Sequence, residues 1–375
     1  MVEKEQHYSN KKVRQAGFTL LEMLVSVSIF VVVTGSIYAL LELGRSDRNR
    51  TSRRGDTQKN ARIAMYLIGR DVMNAGLGYH KTGALVPDNF LPSRIGVTVD
   101  PGTTRDTLTS VACGNNVFAN KFLPTNQKTD AIAFIYRDLD FNNGKPVVVT
   151  NEVGPTTGSQ VILQTNATDL ASINNNDLFM AETSNSQIVG IVTSKDTTNN
   201  RIVIDVGDNL GLNQSRNLKD SGGNYIGSLL RKCASTSDTN CTTYTGTASG
   251  GIVLKKIEMV SYQVSNDGTF LRTIYGNNKD GTTTEQIQQR AIAYGVKDFQ
   301  ILYQMKDGTV VEDPVVGADG ARGTADDIPT NMNNVRYVSM ALTVSSTELD
   351  EKTGAAEVIV LNSTFSLRNM SYDDK

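Results

Sequence analysis

From Phe18 to Leu43 the chain reads FTLLEMLVSVSIFVVVTGSIYALLEL, an apolar run in which Glu22 is the sole charge before Glu42. As a helix it is long enough to cross roughly 30 Å of hydrocarbon. The pattern then turns amphipathic. Between residues 57 and 76, Ala61, Ala64, Met65, Ile68, Val72 and Ala75 fall on one stripe at helical spacing. One long helix is therefore expected, loosened at Gly35 and Gly44 and stopped by Gly76 and Gly78, with its polar half packing on a sheet.

After about residue 80 the periodicity changes to short β-branched and aromatic runs separated by Gly, Asn, Asp, Thr and Pro, the pattern of an antiparallel β domain. The clearest strands are 131–136, 147–150, 160–164, 188–193, 201–206, 252–264, 269–275, 299–304, 336–344 and 358–367. In the ninth, Val338, Met340, Leu342 and Val344 alternate with Ser339, Ala341 and Thr343, as expected when one face is buried. Residues 283–293 are expected to form a short helix. Loop insertions are expected near 81–130 and 208–250, where hydrophobic periodicity fades. No solenoid-like repeat is apparent. The fold class is α+β, a long N-terminal helix followed by a large β-rich domain.

With 375 residues, one elaborated domain or two smaller ones are both open. A chain that is 39% hydrophobic and 20% charged is globular rather than disordered, and 32 Gly with 13 Tyr and no Trp fits many turns and strands. The net charge of −2 gives no reason to expect nucleic acid as a partner. The first 17 residues are polar and basic, with Lys4, Lys11, Lys12 and Arg14 against Glu3 and Glu5, so their loss would make the chain more acidic.

An ordinary secretory signal places its apolar run before the cleavage site, whereas here a polar leader ends at Ala16-Gly17 and the apolar run follows. Gly17-Phe18-Thr19-Leu20-Leu21-Glu22 closely resembles the class III signal of type IV prepilins, G-F-T-L-x-E. That resemblance implies a leader at 1–17, cleavage by prepilin peptidase after Gly17 and methylation of the new Phe18 amine. Residues 18–43 would be the membrane half of the helix, 44–79 its amphipathic continuation and 80–375 the globular domain. A lone carboxylate in an apolar membrane helix costs a few kcal/mol and needs a role or a partner. The resemblance supplies one: Glu22 would meet the N-terminal amine of a neighbouring subunit and set axial register. Against this orientation stand Arg45, Arg48, Arg50, Arg53 and Arg54, because basic flanks tend to remain cytoplasmic. The cleavage motif is taken to decide, with the leader cytoplasmic and the domain exported.

Beyond the signal, ARIAMYLIGRDVMNAGLGY, the late IAYGVKDFQILYQ and NVRYVSMALTV segments and the terminal STFSLRN are similar to PilW-type minor pilins, which are related to pseudopilins of type II secretion. The likeness is good over the first 80 residues, loose over the last 90, and leaves the middle unassigned. It implies a minor pilin that helps to initiate a type IV pilus at or near its tip. Its partners would be prepilin peptidase, other minor pilins, the major pilin and the inner-membrane assembly platform. A type II secretion pseudopilin, a pilus-tip adhesin and a membrane-tethered enzyme are the rival readings.

Catalytic chemistry finds little support. His7 and His80 are the only histidines, and G-x-S-x-G, H-E-x-x-H and G-x-x-x-x-G-K-[ST] are all absent. Asp138, Asp140 and Asn142 are spaced like oxygen ligands of a calcium loop, with Gly144 supporting the turn. The run nevertheless lacks the glycine and bidentate Glu that an EF-hand requires, and an Asx-rich turn is the competing reading. Asp319, Asp326 and Asp327 form a second acidic, glycine-rich loop with the same two readings; no other cofactor is expected. The cysteines Cys113, Cys233 and Cys241 show no CxxC pair. In an exported domain a Cys233–Cys241 disulfide is favoured, with a bridge to Cys113 or three thiols as alternatives.

Overall fold

The structure, a computed structural model, describes residues 17–87, 90–96, 105–152, 160–182, 187–213, 252–276, 286–324, 326–349 and 354–370. Helix α1, Leu20–Asn74, runs unbroken for 55 residues, about 80 Å at 1.5 Å per residue. Gly35, Gly44 and Gly55 all lie inside it without interrupting it. Its start is fixed by a capping box in which Thr19 and Glu22 satisfy each other's backbone N–H groups. It ends at Ala75, followed by Gly76 in the left-handed region at φ 79°. From Gly17 to Leu43 every residue is exposed, whereas Ala61, Ala64, Met65, Ile68, Val72 and Ala75 are all buried.

The strands in chain order are β1 (Ala84–Pro87), β2 (Arg105–Leu108), β3 (Val111–Phe118), β4 (Thr129–Arg137), β5 (Val147–Val149), β6 (Asn151–Glu152), β7 (Val161–Gln164), β8 (Leu178–Glu182) and β9 (Gln187–Ile191). They continue as β10 (Ser194–Asp196), β11 (Arg201–Ile204), β12 (Ile252–Val264), β13 (Phe270–Tyr275), β14 (Ile287–Ala293), β15 (Val296–Met305), β16 (Val310–Val311), β17 (Val335–Leu349) and β18 (Ala356–Ser366). Two short helices, α2 (Pro92–Ile95) and α3 (Ala167–Ser172), sit between strands. Each of the ten strands expected from the sequence overlaps one of these.

Among the described residues the strands form three sheets. The largest has the order β14-β13-β12-β8-β9-β1-β2, with β4 and β5 also on β12 and β3 on β4; the others are β10-β11-β7-β6 and β16-β15-β17-β18. Every pairing is antiparallel except that of β1 with β9. Strand β12 is the organiser, because its first half pairs with β5 and β8 and its second half with β4 and β13. Strand β4 lies beside it with both faces covered: Ile132 and Phe134 enter one core, Ala131, Ala133 and Ile135 another. That double burial explains a nearly continuous apolar run where a half-exposed strand would alternate.

The first core is where the helix meets the domain. The α1 stripe packs there with Ile132, Phe134, Tyr262 and Phe270 from one sheet and Phe299, Tyr303, Val338 and Leu342 from the β15–β17 sheet. The helix lies close enough to β18 that a Cβ on Gly69 would stand 2.4 Å from the Phe365 ring. A glycine is therefore used inside the helix, despite its conformational cost, to admit an aromatic ring.

Two expectations need correcting. Residues 81–130 are not a plain loop insertion: they hold β1, α2, β2, β3 and the start of β4. Their strands are short or interrupted, since β3 contains Gly114 and shifts register between Gly114 and Phe118, with Asn116 at φ 51°. Residues 287–293 form strand β14 rather than a helix, because pairing along β13 overrides the helix propensity of its Gln, Arg and Ala residues. Within the 208–250 stretch, residues 214–250 lie outside the described residues; in the rest, Asp208 accepts from the backbone N–H groups of Leu210, Leu212 and Asn213.

Candidate assembly site: the N-terminal helix and its anchorage

Gly17 and Phe18 precede the first turn of α1, with Phe18 82% exposed. Glu22, the third residue of the helix, folds back on its start. Its Oε2 accepts from Thr19 N at 3.1 Å and from Thr19 Oγ1 at 3.0 Å, while Glu22 N donates to Thr19 Oγ1 at 3.3 Å. The carboxylate thus lies at the positive end of the helix dipole, against the backbone that Phe18 opens. Within a single chain this acid is engaged by its own cap rather than stranded among apolar side chains.

Above the cap, α1 is the one helix among the described residues long and apolar enough to cross a membrane, and none of its most apolar stretch is buried by the rest of the chain. Among the described residues no β strand covers this half. Its surface must be covered by something other than its own domain, since apolar area left in water is unfavourable in proportion to its extent.

The arginines that follow the apolar run are partly accounted for by the β17–β18 hairpin. Arg53 donates from Nη1 to Leu349 O at 3.3 Å and lies 3.8 Å from Glu348, while Arg50 and Arg54 approach Glu357 at 3.9 and 3.7 Å. The hairpin end thereby meets the helix just past the apolar segment. Sequence reading treated these arginines as a topological signal; the structure gives three of them a structural use.

Deeper in the domain, the helix is tied to the sheet by Asp71, which is completely buried. Asp71 Oδ2 accepts from Tyr262 Oη at 2.6 Å and from Arg272 Nε at 2.9 Å, with Arg272 Nη2 at 2.8 Å; Arg70 Nε and Nη2 reach Oδ1 at 3.1 Å. Arg272 brings two nitrogens to Oδ2 while Arg70 covers Oδ1, so both oxygens of the buried carboxylate meet a cation. Sequence reasoning missed this cluster, although the adjacent charges Arg70 and Asp71 beside the apolar stripe, between Ile68 and Val72, are the signal that could have found it.

The two acidic loops do not converge. Asp138 Oδ1 accepts from the backbone N–H groups of Asp140 and Phe141 at 3.0 and 3.1 Å, and its other oxygen lies 3.7 Å from Lys256 Nζ. Asn142 adopts φ 51° and donates to Asp169 Oδ1 at 3.0 Å. In the second loop, Asp319 Oδ1 accepts from Ala321 N, Asp326 from Asp319 N and Thr324 Oγ1, and Asp327 from Gly323 N. The backbone bonds that Asp138 and Asp319 accept from residues two or three further on are those of Asx turns. Among the described residues, no three His, Cys, Asp or Glu side chains are grouped to hold a metal ion.

That second loop is anchored by Arg322, whose Nη1 meets Asp313 Oδ1 at 2.6 Å and whose Nη2 donates to Cys113 O at 3.2 Å. Cys113 is a free thiol buried in the first core; burial pushes its pKa up and keeps it an unreactive thiol. Cys233 and Cys241 lie outside the described residues.

No curated protein and no solved structure matches the chain. One family model does match, that of the prokaryotic N-terminal methylation motif, over residues 12–38. The match spans Gly17, Phe18, Glu22 and most of the exposed apolar half of α1, so the N-terminal part of this chain carries the processing and methylation signal of type IV pilin-like and pseudopilin proteins.

Proposed function

We propose that this chain is a minor pilin, cut by prepilin peptidase between Gly17 and Phe18, methylated on the Phe18 amine and assembled with other minor pilins and the major pilin at or near the tip of a type IV pilus. The observation that carries the reading is the continuity of the methylation motif with α1. From Leu20 to Tyr38 the motif lies on the wholly exposed half of a helix whose other half is the spine of a folded domain. Such a helix serves first as a membrane anchor, with the leader cytoplasmic and the domain periplasmic, and then as the buried core of a fibre fed through the inner-membrane assembly platform. The role is structural rather than catalytic.

Glu22 is the residue proposed to recruit the next subunit. Its capping box holds the carboxylate on the N–H of Thr19, one residue past the proposed new N-terminus. Exchanging the Thr19 bonds for a neighbour's charged amine would keep the acid compensated as the helix leaves lipid.

Mass spectrometry of the native protein tests the processing step. A mature chain beginning at N-methylated Phe18 is expected, and Gly17→Val should leave the leader attached. An intact Met1 in native material, or trimming beyond residue 40, would overturn the proposal. Deleting the gene then separates the two filament systems: loss of surface pili with secretion intact fits the pilus, and the reverse outcome assigns the chain to type II secretion.

A further inference from the structure

We propose that Lys256 and Asp177 become joined by an amide bond between their own side chains, with Asp138 as the proton carrier. Strand β12 carries Lys256 at the point where its partners change from β5 and β8 to β4 and β13. There Lys256 stands opposite Phe179, and the alternation of the neighbouring strand brings Asp177, two residues before Phe179, to the same side. On the other flank, Asp138 follows β4 and donates its N–H to Lys256 O at 2.9 Å. One lysine is thereby set between two carboxylates from separate parts of the chain.

The three groups are close and largely dry. Lys256 Nζ lies 3.0 Å from Asp177 Oδ1 and 3.7 Å from Asp138 Oδ2. Lys256 is 8% exposed and Asp177 1%. Phe141, itself buried and edge-on to Phe179, holds its ring centre 5.3 Å from Nζ. Asp177 Oδ2 accepts from Asn174 N at 2.8 Å, which fixes the carboxyl and polarises its second oxygen. Amine and carboxyl thus stand near the roughly 3–3.5 Å separation of a near-attack arrangement. Burial raises the Asp177 pKa, and Asp138 adds to the rise against the pull of Lys256. Exclusion of water in this way favours a neutral amine and acid over a charged pair.

The chemistry balances within these side chains. A proton passes from Nζ to Asp177 Oδ1, leaving a neutral amine beside a neutral acid. The Nζ lone pair then attacks Cγ, and the charge that gathers on Oδ2 is met by Asn174 N–H. Asp138 takes a second proton from Nζ and hands it to Oδ1 as the Cγ–Oδ1 bond breaks. The products are one Nζ–Cγ amide and one water, with Asp138 again a carboxylate, and no further reactant is consumed. The bond ties the turn before β8 to the strand that carries both halves of the largest sheet, at the place where those halves meet. It uses none of residues 17–43, so it stands independently of the pilin reading.

Mass spectrometry of the detergent-solubilised full chain, unfolded and digested with trypsin, tests it. The expected product is a branched peptide that joins the segments of Lys256 and Asp177 and is lighter than their sum by one water. Lys256→Arg should abolish the branch and return two linear peptides. Asp177→Asn should condense with loss of ammonia instead, giving a branch of the same mass as the native one. Asp138→Ala keeps amine and acid in contact and should leave most chains unlinked. Lys255→Arg, which alters the neighbouring pair with Glu182, should leave the branch in place. Recovery from the native chain of linear peptides alone, cut after Lys256, assigns the contacts to an ion pair and overturns the proposal. A branch that persists in Lys256→Arg overturns it equally.

Discussion

Tyr262 Oη donates a 2.6 Å hydrogen bond to Asp71 Oδ2, joining the second half of β12 to α1 inside the core. Arg272, from the adjacent strand β13, completes the cluster. Removing the acid leaves the largely buried Arg272 cation without its counter-charge, so Asp71→Asn is expected to destabilise the domain by about 3–5 kcal/mol. Tyr262→Phe leaves the ion pair intact and should cost about 1.5 kcal/mol. Chemical denaturation of the detergent-solubilised chain measures both. Equal losses would show that the hydroxyl, rather than the charge pair, holds the helix.

Asp130 gives the domain a defined pH response. It is 2% exposed and accepts from Asn116 N at 2.8 Å and Ile301 N at 2.7 Å. Burial nevertheless dominates and pushes its pKa up to about 7, with Asp298 and Glu312 adding to the rise and the two backbone donors opposing it. Because the folded form holds its proton more tightly than the unfolded chain, this group's contribution is full below its ordinary pKa and is lost as pH rises through 7. Asp130→Asn cannot titrate. Between pH 4 and 7 the stability difference should move in the variant's favour, by up to about 1.4 kcal/mol per pH unit. Melting curves of both proteins across that range check it, and the difference removes the contribution of Asp177, whose pKa burial also raises.

What the sequence revealed and what it hid follow from how local each determinant is. The α1 stripe was legible because six residues at helical spacing define a face, and all six are buried. Strand β12 was legible from end to end, since thirteen β-branched, aromatic and alternating residues carry their own signal. Strand β14 was not. IQQRAIA has an exposed and largely polar surface, and it is extended because β13 offers it a ladder. Likewise, the partner of Asp71 lies 201 residues away in Arg272, and no local pattern links them. The methylation motif was legible for the opposite reason: peptidase recognition is written in contiguous residues.

Gly69 is expected to resist even alanine. On an open helix surface, Gly→Ala gains about 1 kcal/mol. Here the new methyl would lie 2.4 Å from Phe365 Cε1 and 2.9 Å from Cζ, so the ring must move or the helix must lift from β18. Overpacking of this kind costs about 1–3 kcal/mol. Gly69→Ala should therefore lower the melting temperature, and Phe365→Leu should restore part of the loss when added to it but not when made alone. Additive losses in the double variant would show that the contact is not limiting.

The arginines beyond the apolar run lead to a prediction about local order rather than global stability. Arg50 and Arg54 face Glu357, and Arg53 faces Glu348, at separations of 3.7–3.9 Å with at least one exposed partner in each pair. Pairs of this sort contribute about 0–1 kcal/mol each and are screened by salt. Replacing Glu348 and Glu357 together by Gln should therefore move the melting temperature little. The end of the β17–β18 hairpin leaves Leu349 and Val358 59% and 47% exposed, so little apolar packing at these two residues backs up the ion pairs. It should detach from α1 in the double variant and be cut faster by a protease at low salt. Raising the salt to about 1 M, where the Debye length falls to about 3 Å, should bring the native chain to the variant's rate. A native cleavage rate that ignores salt would place the hold on the hairpin in the Arg53 bond to the Leu349 carbonyl instead.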